Sequence, residues 1–267
     1  MNSHYLEYKK SLIHYRYSGD GPETVVCFHG FGTYASTFDW LASHVPGRRF
    51  IAFDLPHHGE TRWNDGNILT PEQLINIIDA CPHMTVNKFS LLGYSMGGRI
   101  SLRLLQAIPE RITRLILLAP DGLHSNPFYW VSTQTSIGNL LFKKIMDKPE
   151  PFVRPLIRAE KLGLVNKGLL KFVDRYLKDD QIRAKVYTVW TLFRKFSPDL
   201  KKVVSEINAR NIPTILIYGR FDSIIPLAPG EKFFRRLRSI RKMEILETGH
   251  QILHVSNAPY IADAFNL

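Results

Sequence analysis

Short apolar runs alternate with amphipathic segments through the first half of this chain. Apolar and β-branched runs predict strands near residues 12–17, 24–28, 49–54, 88–92 and 114–119. Apolar residues at helical spacing predict helices in the gaps, near residues 37–43, 71–80 and 96–107. Strands that alternate with helices in this way predict an α/β fold, with a mostly parallel sheet covered by helices on both faces.

The pattern changes in the second half of the chain. Residues 123–208 contain helix-like segments interrupted by prolines and no strand-like run, whereas strands are again indicated near residues 213–218 and 243–247. We therefore expect a core in two parts, residues 1–122 and 209–267, with a helical lid at residues 123–208 placed over the carboxyl edge of the sheet. The many aromatic residues of this insertion, Trp190 among them, suit either an apolar substrate pocket or a small core of the lid itself.

The run Gly93-Tyr94-Ser95-Met96-Gly97 lies between a predicted strand and a predicted helix. A strand that turns sharply into a helix crowds the backbone, so small residues such as Gly97 and Gly98 are needed around the turning residue. Such a turn exposes the Ser95 hydroxyl above the sheet and points the Met96 amide into the space beside it. Ser95 is thus a candidate nucleophile.

A second strand end supplies a candidate oxyanion-binding group. The predicted strand at residues 24–28 runs directly into His29-Gly30-Phe31-Gly32. The glycines allow close approach of the backbone to a ligand, so the Phe31 amide can join that of Met96 in holding an oxyanion. An ordinary glycine turn with a structural His29 is the alternative interpretation.

An acid and a base follow the last two predicted strands. Asp222 lies in the loop after residues 213–218, and His250 lies in the loop after residues 243–247. Strand ends converge at one edge of a parallel sheet, where a carboxylate can orient an imidazole beside Ser95. Asp121 also follows a predicted strand and is a rival for the acid, although Asp121-Gly122 reads equally as a turn.

These segments resemble the α/β-hydrolase superfamily. The resemblance covers residues 19–121 and 212–264, including the Asp54-Leu55-Pro56-His57-His58-Gly59 loop. It implies that Ser95 is the nucleophile, His250 the base and Asp222 the acid, with Phe31 and Met96 as oxyanion donors and no cofactor. A serine nucleophile disfavours the dehalogenase and epoxide hydrolase reactions of this superfamily.

Length and charge limit the number of domains and the kinds of partner that this chain can have. The chain has 267 residues, which is enough for one large α/β domain. Its formal net charge is +11. Residues 123–202 carry 16 Lys and Arg against seven Asp and Glu, and a second basic run follows at residues 232–242. A solvated face is the ordinary meaning of such runs, but an anionic substrate or an acidic carrier protein remains a candidate partner. Nucleic acid is disfavoured because no recognised binding module accompanies the charge.

Other features indicate a cytoplasmic enzyme. No apolar stretch reaches the ~20 residues of a membrane span, and the amino terminus lacks a secretory signal pattern. Two cysteines are too few for a disulfide framework, and the ten dispersed histidines, His57-His58 included, suggest no metal site.

The sequence therefore predicts a serine hydrolase that cleaves a small-molecule carboxylic ester through an acyl-enzyme. Its basic lid is similar to that of enzymes that remove methyl esters from carrier-bound acyl chains. Two alternatives stay open. A carbon–carbon bond hydrolase of the 2-oxo-dienoate type would use the same triad, with Arg154 or Arg158 holding the substrate carboxylate. A ligand receptor would keep the triad but turn over negligibly.

Overall fold

The structure is a computed structural model, and it describes residues 1–124, 127–153, 155, 176–177 and 179–266. Within these residues the chain forms one eight-stranded sheet. The strands are β1 (Asn2–Tyr8), β2 (Ser11–Ser18), β3 (Glu23–Phe28), β4 (Arg48–Phe53), β5 (Phe89–Tyr94), β6 (Ile112–Leu118), β7 (Thr214–Gly219) and β8 (Arg241–Leu246). Their order is β1-β2-β4-β3-β5-β6-β7-β8. The pairs β1–β2 and β2–β4 are antiparallel, and the remaining pairs are parallel.

The helices of the described residues connect these strands or follow them. They are α1 (Leu41–His44), α2 (Pro71–Asp79), α3 (Met96–Ala107), α4 (Pro127–Gln134), α5 (Ser136–Asp147), α6 (Asp180–Leu192), α7 (Leu200–Arg210), α8 (Leu227–Phe234) and α9 (Ala258–Asp263). Short 3₁₀ turns lie at Ala35–Phe38, Pro109–Arg111, Phe193–Lys195 and Val255–Asn257. Helix α2 shows why its boundary was readable from sequence: Thr70 and Gln73 form a capping box, and Pro71 occupies the first helical position.

The centre of the sheet is apolar on both faces. Every residue of β5 and β7 is buried, and β3 is buried from its second residue onward. Parallel strands covered on both faces read as continuous apolar runs, which is why the sequence located them. The predicted α/β architecture with a mostly parallel sheet is confirmed.

Strand β1 was not predicted. It forms the edge of the sheet, and most of its residues are exposed or half-buried. An edge strand with polar residues such as Asn2, Ser3 and Glu7 lacks the apolar signal of a buried strand. Pairing with β2 over its whole length, from Asn2 opposite Tyr17 to Tyr8 opposite Ser11, forms the strand instead.

The chain divides into two compact units. The first unit contains residues 1–66, 70–124 and 196–267, and the second contains residues 67–69 and 125–195. The first unit holds the sheet and helix α7, which packs against α3. The predicted lid range of 123–208 therefore includes most of a helix that belongs to the unit holding the sheet. That the second unit acts as a lid stays a prediction.

The second unit has an aromatic cluster of its own. Trp190 on α6 lies with its ring centroid 5.6 Å from that of Phe142 and 5.1 Å from that of Tyr129. Two helices of this unit begin at side-chain caps: Asp179 accepts from the amides at the start of α6, and Thr135 accepts from the amide of Gly138 in α5. Among the described residues of the chain, no helix is long and apolar enough to cross a membrane.

Candidate active site

Ser95 occupies a strained turn between β5 and α3. Its backbone has φ 51° and ψ −115°, a conformation rarely adopted by residues that carry a Cβ. The surrounding glycines are required by space: a Cβ on Gly97 would lie 1.9 Å from the carbonyl oxygen of Phe28, and one on Gly98 would lie 2.5 Å from Cβ of Pro120. The sharp turn that was inferred from the glycine spacing is therefore present, with the neighbouring strand and loop packed against it.

Three side chains from different loops meet beside this turn. The Ser95 Oγ lies 3.0 Å from Nε2 of His250, and Nδ1 of His250 lies 2.7 Å from Oδ2 of Asp222. The Asp222 side chain is only 1% exposed, and its other oxygen accepts hydrogen bonds from the amides of Ile224 and Ile225 at 2.7 and 2.9 Å. This fixed carboxylate accepts from Nδ1, which leaves Nε2 free of its proton and able to accept the Ser95 hydroxyl.

The environment of Asp222 keeps it ionised. Burial alone raises the pKa of this carboxyl, but the hydrogen bonds from His250 and from the Ile225 and Ile224 amides outweigh burial, so the pKa is lowered. A carboxylate that stays charged can hold one imidazole tautomer and stabilise the imidazolium that forms during proton transfer.

The rival Asp121 is engaged elsewhere. Its Oδ1 accepts from the amide of Gly122 at 2.7 Å, and its Oδ2 lies 3.5 Å from Nε of Arg99. The side chain is 39% exposed, and Gly122 has φ +96°. The geometry matches the turn that was the alternative interpretation of Asp121-Gly122, and Asp222 is the carboxylate that contacts His250.

The comparison with known families agrees with this geometry. The family model described as the alpha/beta hydrolase fold matches residues 23–256, a span that contains Ser95, Asp222 and His250. The chain belongs to the α/β-hydrolase fold family.

Relatives of this α/β-hydrolase include hydrolases and esterases. It is 27% identical over 247 residues to the uncharacterised hydrolase YugF of Bacillus subtilis (strain 168), covering 91% of this chain and 88% of that protein. It is 26% identical over 244 residues to a pimeloyl-[acyl-carrier protein] methyl ester esterase of Nitrosomonas europaea, and the alignment covers 89% of this chain and 92% of that protein. The solved structure of a thermophilic esterase from Thermogutta terrifontis superposes with a TM-score of 0.65 at 17% identity, and the superposition covers 100% of this chain and 97% of that one. These relatives place the chain among the carboxylesterase-like α/β-hydrolases.

The predicted oxyanion donors of this α/β-hydrolase lie in the loop after β3 and at the start of α3, and their role stays a prediction. Met96 is the first residue of α3, where an amide has no intrahelical acceptor. Phe31 follows β3, and the preceding Gly30 lies so close to the elbow that a Cβ on it would be 3.2 Å from Cβ of Ser95. His29 holds this loop in place: its Nδ1 donates to the Gly30 carbonyl at 2.8 Å, and its Nε2 accepts from an amide of the neighbouring loop at 3.0 Å.

Tyr94 is a site residue that sequence reasoning missed. Its hydroxyl donates to the His250 carbonyl at 3.1 Å, and the centroids of the two rings are 5.4 Å apart. Burial, together with the charge of Asp222, raises the pKa of Tyr94 to about 12, so the hydroxyl stays protonated as a donor. The only sequence signal was its place before Ser95 in the elbow motif, which does not specify a side chain.

The predicted substrate contacts stand differently. Arg154 and Arg158 lie outside the described residues. Trp190 lies in the aromatic cluster of the second unit, and its contact with substrate stays a prediction. Within the described chain, no group of three or more His, Cys, Asp or Glu side chains is arranged to hold a metal ion.

Proposed function

We propose that this α/β-hydrolase cleaves carboxylic esters through an acyl-enzyme on Ser95. The observation that carries the proposal is the unbroken hydrogen-bonded chain from Ser95 Oγ through the His250 ring to the buried Asp222 carboxylate. A strained elbow that presents a serine to a neutral imidazole is the arrangement that acyl transfer needs. Each of the three residues has a role that follows from its contacts.

The reaction has two steps. In the first, Ser95 Oγ attacks the ester carbonyl as its proton passes to Nε2 of His250, and the imidazolium then protonates the departing alcohol. In the second, His250 removes a proton from water, the resulting hydroxide attacks the acyl-enzyme, and the carboxylic acid is released with Ser95 protonated again. Asp222 keeps its charge throughout and stabilises the imidazolium in both steps.

The negative charge that develops on the carbonyl oxygen needs fixed donors. We assign this role to the amides of Met96 and Phe31, which come from the start of α3 and from the loop after β3. Loss of one such donor in a serine hydrolase typically lowers kcat by about 10²–10³. The hydrogen bonds of His29 hold the Phe31 loop against the loop after β4, which limits reorganisation during the reaction.

The substrate class that we propose is an acyl ester that is anionic or is linked to an acidic carrier protein. The relative from Nitrosomonas europaea is named for a carrier-linked methyl ester, and 89% of this chain aligns with it. The excess of positive charge in residues 123–202 agrees with a negatively charged partner.

A fluorophosphonate probe and a panel of p-nitrophenyl esters test the reaction. We expect stoichiometric labelling of Ser95 and steady ester turnover, with Ser95→Ala lowering kcat by about 10⁶. Ser205→Ala, an exposed serine on α7, is the matched control and should keep full activity. More than a tenth of the activity in Ser95→Ala would remove Ser95 from the mechanism. Labelling without any turnover would favour a receptor, and cleavage of a 2-oxo-dienoate in preference to every ester would favour the carbon–carbon hydrolase.

Salt dependence tests the proposed substrate class. Attraction between exposed charges weakens as the Debye length falls from about 10 Å at 0.1 M salt to about 3 Å at 1 M. For a carrier-linked ester, kcat/KM should therefore fall steeply with salt, while a p-nitrophenyl ester of the same acyl length stays nearly constant. Equal salt profiles would refute recruitment of an acidic carrier and would leave the Ser95 chemistry untouched.

A further inference from the structure

A second Ser-His-Asp arrangement lies at the opposite edge of the sheet. In the β1–β2 pair, Tyr5 lies opposite His14, and Ser3, two residues before Tyr5, shares its face of the sheet. The Ser3 Oγ is 2.5 Å from Nε2 of His14, and Nδ1 of His14 is 2.6 Å from Oδ2 of Asp54. These are the same atoms in the same order as in the Ser95 site.

The contacts of Asp54 determine which nitrogen of His14 carries the proton. Asp54 accepts from the amides of Ala35 at 2.6 Å and Glu60 at 2.9 Å as well as contacting Nδ1 of His14. An ionised carboxylate can only accept hydrogen bonds, so Nδ1 of His14 must carry the proton and donate to Asp54. Nε2 of His14 is then unprotonated and can accept a hydrogen bond from the Ser3 hydroxyl. His14 and Asp54 are each 2% exposed, whereas Ser3 is exposed. The base and the acid are buried, and the nucleophile is accessible.

The loop after β4 builds this arrangement. Gly59 has φ +52°, and a Cβ on it would lie 1.8 Å from Oδ2 of Asp54, so the loop closes on the carboxylate only with glycine there. The Thr61 hydroxyl accepts from the His14 amide at 2.9 Å and donates to the Asp54 carbonyl at 2.6 Å. His14 and Asp54 are therefore held by hydrogen bonds from the loop that follows β4.

A cleft lies beside Tyr5, which shares a face of β1 with Ser3. It has a volume of about 410 Å³, and Tyr5, Glu60 and Arg62 are among its lining residues. The Tyr5 ring centroid is 5.1 Å from that of His14, and Oε1 of Glu60 is 3.8 Å from Nε2 of His14. The hydrogen bond from Tyr5 and the nearby His14 lower the pKa of Glu60, so its carboxylate can stabilise an imidazolium at His14. Arg62 adds a positive charge to the lining of this cleft.

We propose that Ser3, His14 and Asp54 form a second nucleophilic site, which takes an acyl group from small activated esters. The Ser3 oxygen forms the bond to the carbonyl carbon, its proton passes to Nε2 of His14, and the bond to the leaving alcohol breaks as that proton is delivered to it. Water then releases the acid by the reverse proton path. Ser3 lies on a regular strand and has no elbow, so its reaction lacks both amide donors that we assign to the Ser95 site. Because loss of each donor costs about 10²–10³ in rate, we expect the reaction at Ser3 to be about 10⁴–10⁶-fold slower than that at Ser95.

The test uses the Ser95→Ala protein, in which the main nucleophile is absent. This protein is incubated with a fluorophosphonate and, separately, with p-nitrophenyl acetate, and the adducts are located by peptide mass spectrometry. With the fluorophosphonate the Ser3 oxygen bonds to phosphorus, fluoride leaves, and the hydroxyl proton passes through His14 to solvent. We expect one adduct on Ser3 that is absent from Ser3→Ala/Ser95→Ala.

Ser256 is the matched control within the same chain. It is an exposed serine 2.9 Å from Nδ1 of His254, and in the described part of the chain no carboxylate lies within ion-pair distance of that histidine. If an oriented histidine is what activates Ser3, Ser256 should stay unlabelled, and Ser256→Ala/Ser95→Ala should keep the Ser3 adduct. Ser3 is exposed on an edge strand, so its alanine variant is expected to fold, which circular dichroism checks.

Two results would overturn the proposal. One is the absence of any Ser3 adduct when the product of probe concentration and time is about 10⁶-fold that which wild type needs for Ser95. The other is labelling of Ser256 at the rate of Ser3, which would reduce both to ordinary exposed serines. Neither result depends on ester hydrolysis at Ser95, since that serine is absent from the tested protein.

Discussion

The strain at Ser95 predicts an unusual ranking of two inactive variants. Ser95 has φ 51° and ψ −115°, so any residue with a Cβ is held there in an unfavourable conformation. Ser95→Ala removes the hydroxyl and keeps the Cβ, whereas Ser95→Gly removes both. The two variants lose the same hydrogen bond to His250 and differ chiefly in backbone strain and in the entropy of the unfolded chain.

The difference in unfolding free energy between Ser95→Gly and Ser95→Ala follows from two opposing effects. Relief of strain at such a residue is worth about 1–3 kcal/mol. The greater freedom of glycine in the unfolded chain opposes this by about 0.5–1 kcal/mol. Ser95→Gly should therefore be about 1 kcal/mol more stable than Ser95→Ala, which corresponds to a Tm about 2 °C higher for a domain of this size.

Thermal unfolding of both variants under one scan rate measures the difference. Ser205 on α7 is the matched control, because it is exposed and lies in a helix, where glycine is about 1 kcal/mol less stable than alanine. The order of the glycine and alanine variants should thus reverse between positions 95 and 205. If glycine is the less stable residue at both positions by similar amounts, the elbow stores no strain and the reasoning fails.

Three further predictions concern the groups around His250. Asp222→Asn should lower kcat by about 10⁴, because an amide no longer selects the imidazole tautomer of His250. The control variant Asp121→Asn should keep a kcat within tenfold of wild type. Steady-state kinetics that show the reverse ranking would assign the acid to Asp121. Tyr94→Phe should lower kcat with little change in KM, since the lost hydrogen bond positions His250 and not the substrate; a rise in KM alone would assign Tyr94 to binding. The lowered pKa of Asp222 means that this group stabilises the fold above its unfolded pKa of about 3.9 and that the contribution is lost as pH falls through the lower folded pKa. The difference in unfolding free energy between wild type and Asp222→Asn should therefore shift against wild type on acidification, and a difference that is flat between about pH 5 and about pH 2 would contradict the assigned pKa direction.

Much of the fold was readable from local pattern. The strands β3, β5, β6 and β7 each contain a continuous buried apolar run, and the capping box of α2 marks its start in the sequence. The elbow around Ser95 was predictable for a related reason. Its glycines are needed because the turn leaves no room for a Cβ, and that requirement is local enough to appear as spacing along the chain.

Other features depend on contacts between distant segments. Strand β1 has a weak apolar pattern and exists through its pairing with β2. Helix α7 reads like the helices before it in the chain, yet it packs against α3 in the unit that holds the sheet. The role of Tyr94 depends on a carbonyl 156 residues away along the chain. No local pattern records such partners.

The sequence by itself determined the fold class and the candidate residues of the site, because burial, turn geometry and strand-end positions are properties of short segments. Only the tertiary structure decided which carboxylate orients His250. Asp121 and Asp222 both follow strands of the same parallel sheet, and each fits the local pattern of an acid in a loop. The direction in which each loop leaves the sheet brings Asp222 within 2.7 Å of the His250 ring and turns Asp121 toward Arg99 and Gly122. The direction of each loop is set by hydrogen bonds and steric exclusion between residues that are distant along the chain, so no short segment of sequence reveals it.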